Sequence, residues 1–313
     1  MTQQAAFEAI AICGPTSSGK SAIAVEVAEA VGGEILNADS RQVYRDMPIG
    51  TGAPGDDLRR RVPHHLFGFV DPCERYSAGA YVADAAAVIR DIIGRGRLPI
   101  VVGGTGLYVE ALAGTMPMDR PVADDAVRDR VRREAAVHPT EFLHEWLALA
   151  APDAARRVDA RDRYRTLRAL EAAFIARAAG AAPHHRIAPE RPFVAMRVAL
   201  LDVDAGELAA RIRTRVRAMY DGGLVEEAVA IWRRCADAPA LTGLGYAEAL
   251  AWHRGESSRA EAVEATIART LRYAKRQRAW FRRIRDGVAV DANDPSAAAA
   301  AIERLARETM RAT

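Results

Sequence analysis

Cysteine is scarce in this chain. Its 313 residues contain three, Cys13, Cys73 and Cys235, odd in number, far apart and without a Cys-x-x-Cys pair. That pattern suggests neither a disulfide framework nor a zinc cluster. Long apolar runs are also missing. None approaches the roughly 20 residues a membrane span needs, and the first thirteen residues are too few and too polar for a secretory signal. A reducing cytoplasm is the expected setting, with no membrane partner. Nor is there an excess of one charge: a net charge of +3 is too small to imply nucleic acid by itself, so the distribution of charge has to decide. No fixed-period repeat appears, and the only biased stretch is an Ala-rich one near the C-terminus that reads as helix. What remains is the composition of a globular protein, half apolar and 27% charged, long enough for one large domain or two.

Against these absences stands Gly14-Pro15-Thr16-Ser17-Ser18-Gly19-Lys20-Ser21, which fits the phosphate-cradling pattern G-x-x-x-x-G-K-[ST] at every specified position. Its flanks fit as well. Ile10-Ala11-Ile12 reads as a short buried strand leading in, and Ile23, Val27 and Val31 recur at helical spacing behind it. Strand, glycine loop and helix aim several backbone N–H groups and a positive helix end at one anion. Lys20 would lie against the phosphates, and the Ser21 hydroxyl would hold Mg²⁺. A glycine-rich turn that merely matches the spelling would not bring both flanks with it.

Residues 1 to about 115 alternate strand-like runs with helical patterns. Glu34 to Ala38 is a second strand, a helix follows from about Ser77 to Gly94, and Leu98 to Val102 is a buried strand running into Gly103-Gly104-Thr105-Gly106. Strands spaced by helices predict a parallel α/β sheet, whose ligands gather at the carboxyl ends of the strands. Three such ends, at Gly14, Asp39 and Gly103, should converge. From about 116 to 190 Arg, Ala, Asp and Glu dominate, strand-like runs disappear and prolines punctuate the ends, which predicts a helical insertion. Val194 to Leu201 reads as a strand rejoining the sheet, and the remainder as helical. The expected organisation is a P-loop α/β core over 1–115 and 191–313, with the helical insertion over 116–190.

A P-loop alone does not separate an ATPase, a kinase and a transferase using a diphosphate. An ordinary P-loop NTPase places an Asp at the end of a later strand to help hold Mg²⁺; here the best such strand ends in Gly103-Gly104-Thr105, which argues against routine hydrolysis. Asp39, at a strand end beside the loop, can accept a proton from a nucleophile or cap a helix, and its position leaves both open. On the helix around residues 270–283, Tyr273, Trp280 and Ile284 form a stripe flanked by Arg269, Arg272, Arg276 and Arg283. Basic residues beside aromatics suit nucleic acid, although the aromatics also suit docking on the core. Arg161, Arg163, Arg165 and Arg168 form a second basic cluster. His64-His65 and His184-His185 are adjacent pairs without further ligands at metal spacing, so no metal beyond Mg²⁺ is expected.

Together these pieces resemble the tRNA dimethylallyltransferase family, also called tRNA isopentenyltransferase, over nearly the whole chain. The resemblance rests on the P-loop, Asp39-Ser40-Arg41-Gln42-Val43-Tyr44, Gly50-Thr51-Gly52-Ala53-Pro54 and Pro63-His64-His65-Leu66. It continues through Gly103-Gly104-Thr105-Gly106-Leu107-Tyr108, Arg168-Ala169-Leu170-Glu171 and Tyr273-Ala274-Lys275-Arg276-Gln277. Departures fall at Ala53, where the family usually has Lys, at Arg161 to Arg165, where it often has Asn-Asp-Pro-Gln-Arg, and at Leu244 to Glu248. They bear on tRNA contact more than on the reaction. The eukaryotic zinc-finger extension is missing, which implies a bacterial-type enzyme.

The resemblance implies transfer of a dimethylallyl group from dimethylallyl diphosphate to N6 of adenine 37, next to the anticodon of certain tRNAs, by a monomer. It makes Asp39 the general base, puts Lys20, the loop residues Gly14 to Ser21, Mg²⁺ and Arg215 on the diphosphate, and has Thr105 line a channel near the flipped-out adenine. Asp39, Ser40, Arg41 and Gln42, Thr105, Tyr164, Arg165, Thr166, Leu167 and Arg168, and Arg128 should touch the anticodon loop. A small-molecule kinase and a non-catalytic RNA-binding regulator remain the alternatives.

Overall fold

The computed structural model describes residues 8–115, 118–119, 125–178, 186–187, 194–284 and 286–312. Ala9–Cys13 (β1) is apolar at every position and buried at every position, as a strand must be when helices cover both faces of its sheet. It joins Glu34–Asn37 (β2), His64–His65 (β3), Pro99–Gly103 (β4), Met196–Asp202 (β5) and Gly287–Asp291 (β6) in a six-stranded sheet of order β3-β2-β4-β1-β5-β6. Every pairing in it is parallel.

Registers decide where chemistry collects. Cys13 stands opposite Gly103 and Leu200, and Asn37 stands opposite Val102. The chain therefore leaves β1, β2 and β4 at one level, which sets Gly14, Asp39 and Gly104 side by side. Gly103 permits the closeness, since a Cβ there would collide with the backbone of Ala38.

The helices are defined by their ends as much as by their interiors. Lys20–Val31 (α1) follows the glycine loop. Ala78–Gly94 (α2) starts at Ser77, whose hydroxyl accepts the Ala80 N–H, and Gly106–Leu112 (α3) follows β4. Ala205–Asp221 (α4) is capped by Asp204, and Leu224–Arg234 (α5) follows it. Arg259–Phe281 (α6) opens with a reciprocal capping box between Ser258 and Glu261, and Pro295–Ala312 (α7) ends the described chain.

Contacts divide the chain into two compact units, Met1–Met116 with Glu190–Thr313, and Pro117–Pro189. The second packs Asp125–Val137, Thr140–Ala150 and Arg163–Ala178 around Val131, Leu143, Leu147 and Leu170. Four short strands depart from the sequence reading. Gly287–Asp291, read as part of a helical remainder, is one edge strand of the sheet, lying in sequence between α6 and α7 with only Val290 buried. His64–His65 extends the other edge. Met118–Asp119 pairs antiparallel with Arg186–Ile187, where no strand was expected. None of the four is long enough to show a period.

Candidate active site

The glycine loop leaves β1 at Gly14 and turns through two left-handed residues, Ser17 (φ 64°) and Gly19 (φ 87°), before α1 begins. The serine gives up about 1 kcal/mol to adopt that conformation, and the loop holds it there. The hydroxyls of Ser17 and Ser18 are buried without a hydrogen-bond partner. Unmade bonds of that kind are costly unless a ligand completes them. Lys20 sits in the first turn of α1 and donates Nζ to the Pro15 carbonyl at 2.8 Å. Arg215 arrives from α4, its guanidinium 3.4 Å from Thr16 Oγ1 and 3.2 Å from the Thr51 carbonyl.

A cavity of about 400 Å³ opens in front of the loop, lined by Thr16, Ser17, Lys20, Ser21, Asp39 and Arg215 among others. Its charge is under-neutralised: Lys20 and Arg215 face one carboxylate, Asp39, while Arg211, also on the wall, pairs with Glu207 at 2.7 Å. Burial drives the Lys20 ammonium down from its usual range to about 8, and Asp39 only partly offsets this. Burial lowers Arg215 too, against the same carboxylate. Two cations short of counter-charge in a low-dielectric pocket favour an anion.

Asp39 lines this cavity and also a smaller one of about 60 Å³, which Tyr273, Tyr246, Met219 and Arg41 help to line. Its Oδ1 accepts the Arg41 N–H at 2.9 Å. No helix follows it; residues 40–43 are a turn, so the capping reading becomes an Asx turn. Oδ2 has no protein hydrogen bond among the described residues. One oxygen fixes the carboxylate and the other stays open.

Thr105 Oγ1 accepts the Ser40 N–H at 3.0 Å and donates to Ser40 Oγ at 3.2 Å, tying the β4 loop to the segment after Asp39. Gln42 donates to the carbonyls of Thr51 and Gly52. Arg41 donates to Thr242 Oγ1 at 3.1 Å. Burial, then the charge of Asp39, pushes the Tyr273 phenol up to about 12.

Gln277 is the residue that sequence reasoning missed. Buried to 5% exposure on α6, it accepts the Thr16 N–H on Oε1 at 2.9 Å and donates Nε2 to the Gly104 carbonyl at 2.8 Å. One side chain thus pins the phosphate loop to the β4 loop. The available signal was its place at the end of Tyr273-Ala274-Lys275-Arg276-Gln277. The buried stripe of α6 is Thr270, Ala274, Gln277 and Phe281, and Tyr273 and Trp280 are half-buried beside it, with Arg276 and Arg283 over their rings.

In the helical unit, Tyr164 is 74% exposed, and Arg165 and Arg168 are exposed. Thr166 is fully buried and Leu167 packs on that unit's own core, so their side chains face inward rather than toward a partner. Arg163, counted in the basic cluster, is an internal staple: it donates to Thr140 Oγ1 and to the carbonyls of Ala135 and His138. Arg128 lies on the helix Asp125–Val137 of the same unit. His65 pairs with Glu34 and His64 Nδ1 faces the Val62 carbonyl; His184 and His185 lie outside the described residues.

Fold and site together define a P-loop α/β protein whose cavity sets two half-buried cations against one carboxylate. The IPP transferase family model matches residues 42–284, and an isopentenyl transferase model matches residues 7–61. The tRNA dimethylallyltransferase of Anaeromyxobacter dehalogenans (strain 2CP-C) is 43% identical over 94% of this chain and 99% of its own; that of Corynebacterium jeikeium (strain K411) is 39% identical over 97% and 98%. Among solved structures, the tRNA isopentenylpyrophosphate transferase of Bacillus halodurans superposes with a TM-score of 0.71 at 30% identity, covering 96% of each chain. A eukaryotic dimethylallyltransferase acting on tRNA reaches 0.76 at 26% identity, over 92% of this chain and 74% of its own. The chain belongs to the IPP transferase family, that of the tRNA dimethylallyltransferases.

Proposed function

We propose that the protein transfers a dimethylallyl group from dimethylallyl diphosphate to N6 of adenine 37 in tRNA. The observation that carries this reading is the position of Asp39, with one oxygen fixed and the other open on the wall shared by both cavities, beside Lys20 and Arg215. The N6 lone pair is delocalised into the purine ring, so the amine attacks as its proton leaves. Asp39 takes that proton. N6 bonds to C1 of the allyl group while the C1–O bond breaks, and its electron pair departs on diphosphate. Lys20, Arg215 and the loop N–H groups meet the charge that gathers there.

The residues present fit a diphosphate, since Ser17, on the cavity wall with Lys20 and Arg215, offers an unpaired hydroxyl. Mg²⁺ would be held by the Ser21 hydroxyl, which lines the same cavity. No group of three or more His, Cys, Asp or Glu that could hold a metal occurs among the described residues, so the diphosphate oxygens and waters would supply the remaining ligands. When bound, the ion neutralises the leaving group.

Adenine has to leave its stack to reach Asp39, at a cost of a few kcal/mol. Ser40, Arg41, Gln42 and Thr105 are the groups offered to the loop on one unit, and Tyr164, Arg165, Arg168 and Arg128 on the other. In this reading the protein works as a monomer in the cytoplasm, where tRNA is found.

The test is single-turnover reaction of unmodified tRNA with dimethylallyl diphosphate and Mg²⁺, followed by nucleoside mass analysis. An adenosine heavier by one dimethylallyl group is expected. Asp39→Asn keeps the acceptor for the Arg41 N–H but not the base, so its rate should fall about 10²–10⁴-fold with melting temperature and tRNA affinity nearly unchanged. An unchanged single-turnover rate would remove Asp39 from the chemistry.

A further inference from the structure

Cys73 and Cys235 stand 162 positions apart, and nothing in their spacing couples them. The fold does. Asp71 Oδ1 accepts the Cys73 backbone N–H at 2.9 Å and the Arg234 guanidinium at 3.2 Å. Arg234 is the last residue of α5 and Cys235 is its C-cap. On the other side of the cysteines, the Ala240 N–H reaches the Pro72 carbonyl at 3.4 Å. Between these ties the Cys73 and Cys235 side chains come close enough to influence each other and the Arg234 guanidinium, and the Cys235 thiol donates to Asp237 Oδ1 at 3.5 Å. Both cysteines are half-buried, within reach of a small molecule in solution. Cys13 differs in each respect: it lies fully buried in β1, and burial pushes its thiol up to about 12.

We propose that Cys73 and Cys235 form a thiol–disulfide site that takes a low-molecular-weight disulfide as its oxidant. The Cys73 sulfur attacks one sulfur of that disulfide, and the first small thiol departs with the proton Cys73 gives up. The Cys73 sulfur, then burial and the Asp237 carboxylate, hold the Cys235 thiol up at about 11, and the Cys73 share of that is removed once Cys73 is in the mixed disulfide. Cys235 then attacks the Cys73 sulfur and expels the second small thiol, which carries away the proton of Cys235. One disulfide bond is exchanged for another: two electrons pass from the protein pair to the oxidant, and two small thiols are released.

The bond would fasten the end of α5 to a segment that already pairs with the chain after Asp39. The Arg45 N–H donates to the Val70 carbonyl at 2.9 Å, and Tyr44 bridges to Val70. Arg41 and Gln42 sit just upstream. Oxidation would therefore act on the stretch that carries them and leave the glycine loop untouched.

The experiment uses the full chain, reduced, freed of reductant and incubated with oxidised glutathione, then digested without reductant for peptide mass mapping. The expected product is a Cys73–Cys235 cross-linked peptide lacking two hydrogens, in the wild type and in Cys13→Ser alike. Cys73→Ser and Cys235→Ser should each carry one glutathione on the surviving partner instead. A wild-type chain that ends as stable glutathione adducts, remains unmodified, or cross-links through Cys13 overturns the proposal.

Discussion

At Lys20 burial and charge pull in opposite directions, and the balance sets a pH range. Its ammonium titrates near 8 in the native protein against 10.5 ordinarily, with burial the larger cause. Below about 8 the native state bears the whole cost of burying that charge. Between about 8 and 10.5 the unfolded chain holds the extra proton, so ligand-free stability rises with pH as the cost fades. Binding runs the other way, because diphosphate needs the ammonium. Its affinity should weaken above pH 8, by at most tenfold per pH unit, whereas Lys20→Arg should show only the ligand's own titration. Calorimetric titration with inorganic diphosphate from pH 7 to 9 compares the two; parallel profiles would mean that Lys20 does not face the anion. The neighbouring helical unit shows why residue type alone misleads. Arg163 and Arg165 are two positions apart in one basic run, yet Arg163 binds backbone carbonyls inside its unit and Arg165 is exposed beside Asp162. Only the direction of each side chain separates a structural cation from a solvated one.

Among the elements, α6 holds the phosphate loop in place. Gln277→Leu keeps the bulk of the side chain while leaving the Thr16 N–H and the Gly104 carbonyl without partners, at about 1–3 kcal/mol for each buried group. Diphosphate affinity should drop at least tenfold and the melting temperature should fall. Gln277→Glu keeps the acceptor for Thr16 but loses the donor to Gly104 and brings a negative charge toward the anion, so it should weaken binding while costing less stability. Titration of both variants with diphosphate decides; wild-type affinity in the leucine variant would dissociate α6 from the loop. This is also the scale at which legibility in the sequence changes. The strand, glycine loop and helix around Lys20 are readable because apolar periods and loop chemistry are local. Asp39 is readable as a strand end, and its Asx turn is not. Gln277 looked like one more polar residue in a cationic helix, because what it does depends on two loops brought to it by the sheet register. Gly287–Asp291 was missed because five residues between helices show no period of their own.

For the molecule as a whole, the modest net charge conceals a division of labour among its arginines. Those that would meet phosphates release counterions on binding, and the others do not. Arg165→Ala should lower the slope of log affinity for tRNA against log salt by about 0.7–0.9 and change stability by no more than about 0.5 kcal/mol. Arg163→Ala should leave the slope alone and destabilise the helical unit by about 1–3 kcal/mol, since three acceptors lose their donor. Filter binding across a salt series and thermal melts on both variants check the pair. Equal slopes for Arg165→Ala and the wild type would show a merely solvated arginine. The two-unit organisation was legible as a shift in composition, because an alanine- and arginine-rich run without strands differs plainly from the alternating segments around it.

The bond from Gln277 to Thr16 spans 261 positions, and that span has a meaning in time. A ribosome delivers the glycine loop well before the residue that frames it. A growing chain, or one broken off before α6 is complete, thus carries the phosphate-binding sequence without the frame that shapes it. Unfinished copies lack the frame of the proposed diphosphate site, which is complete only when α6 docks against the loop.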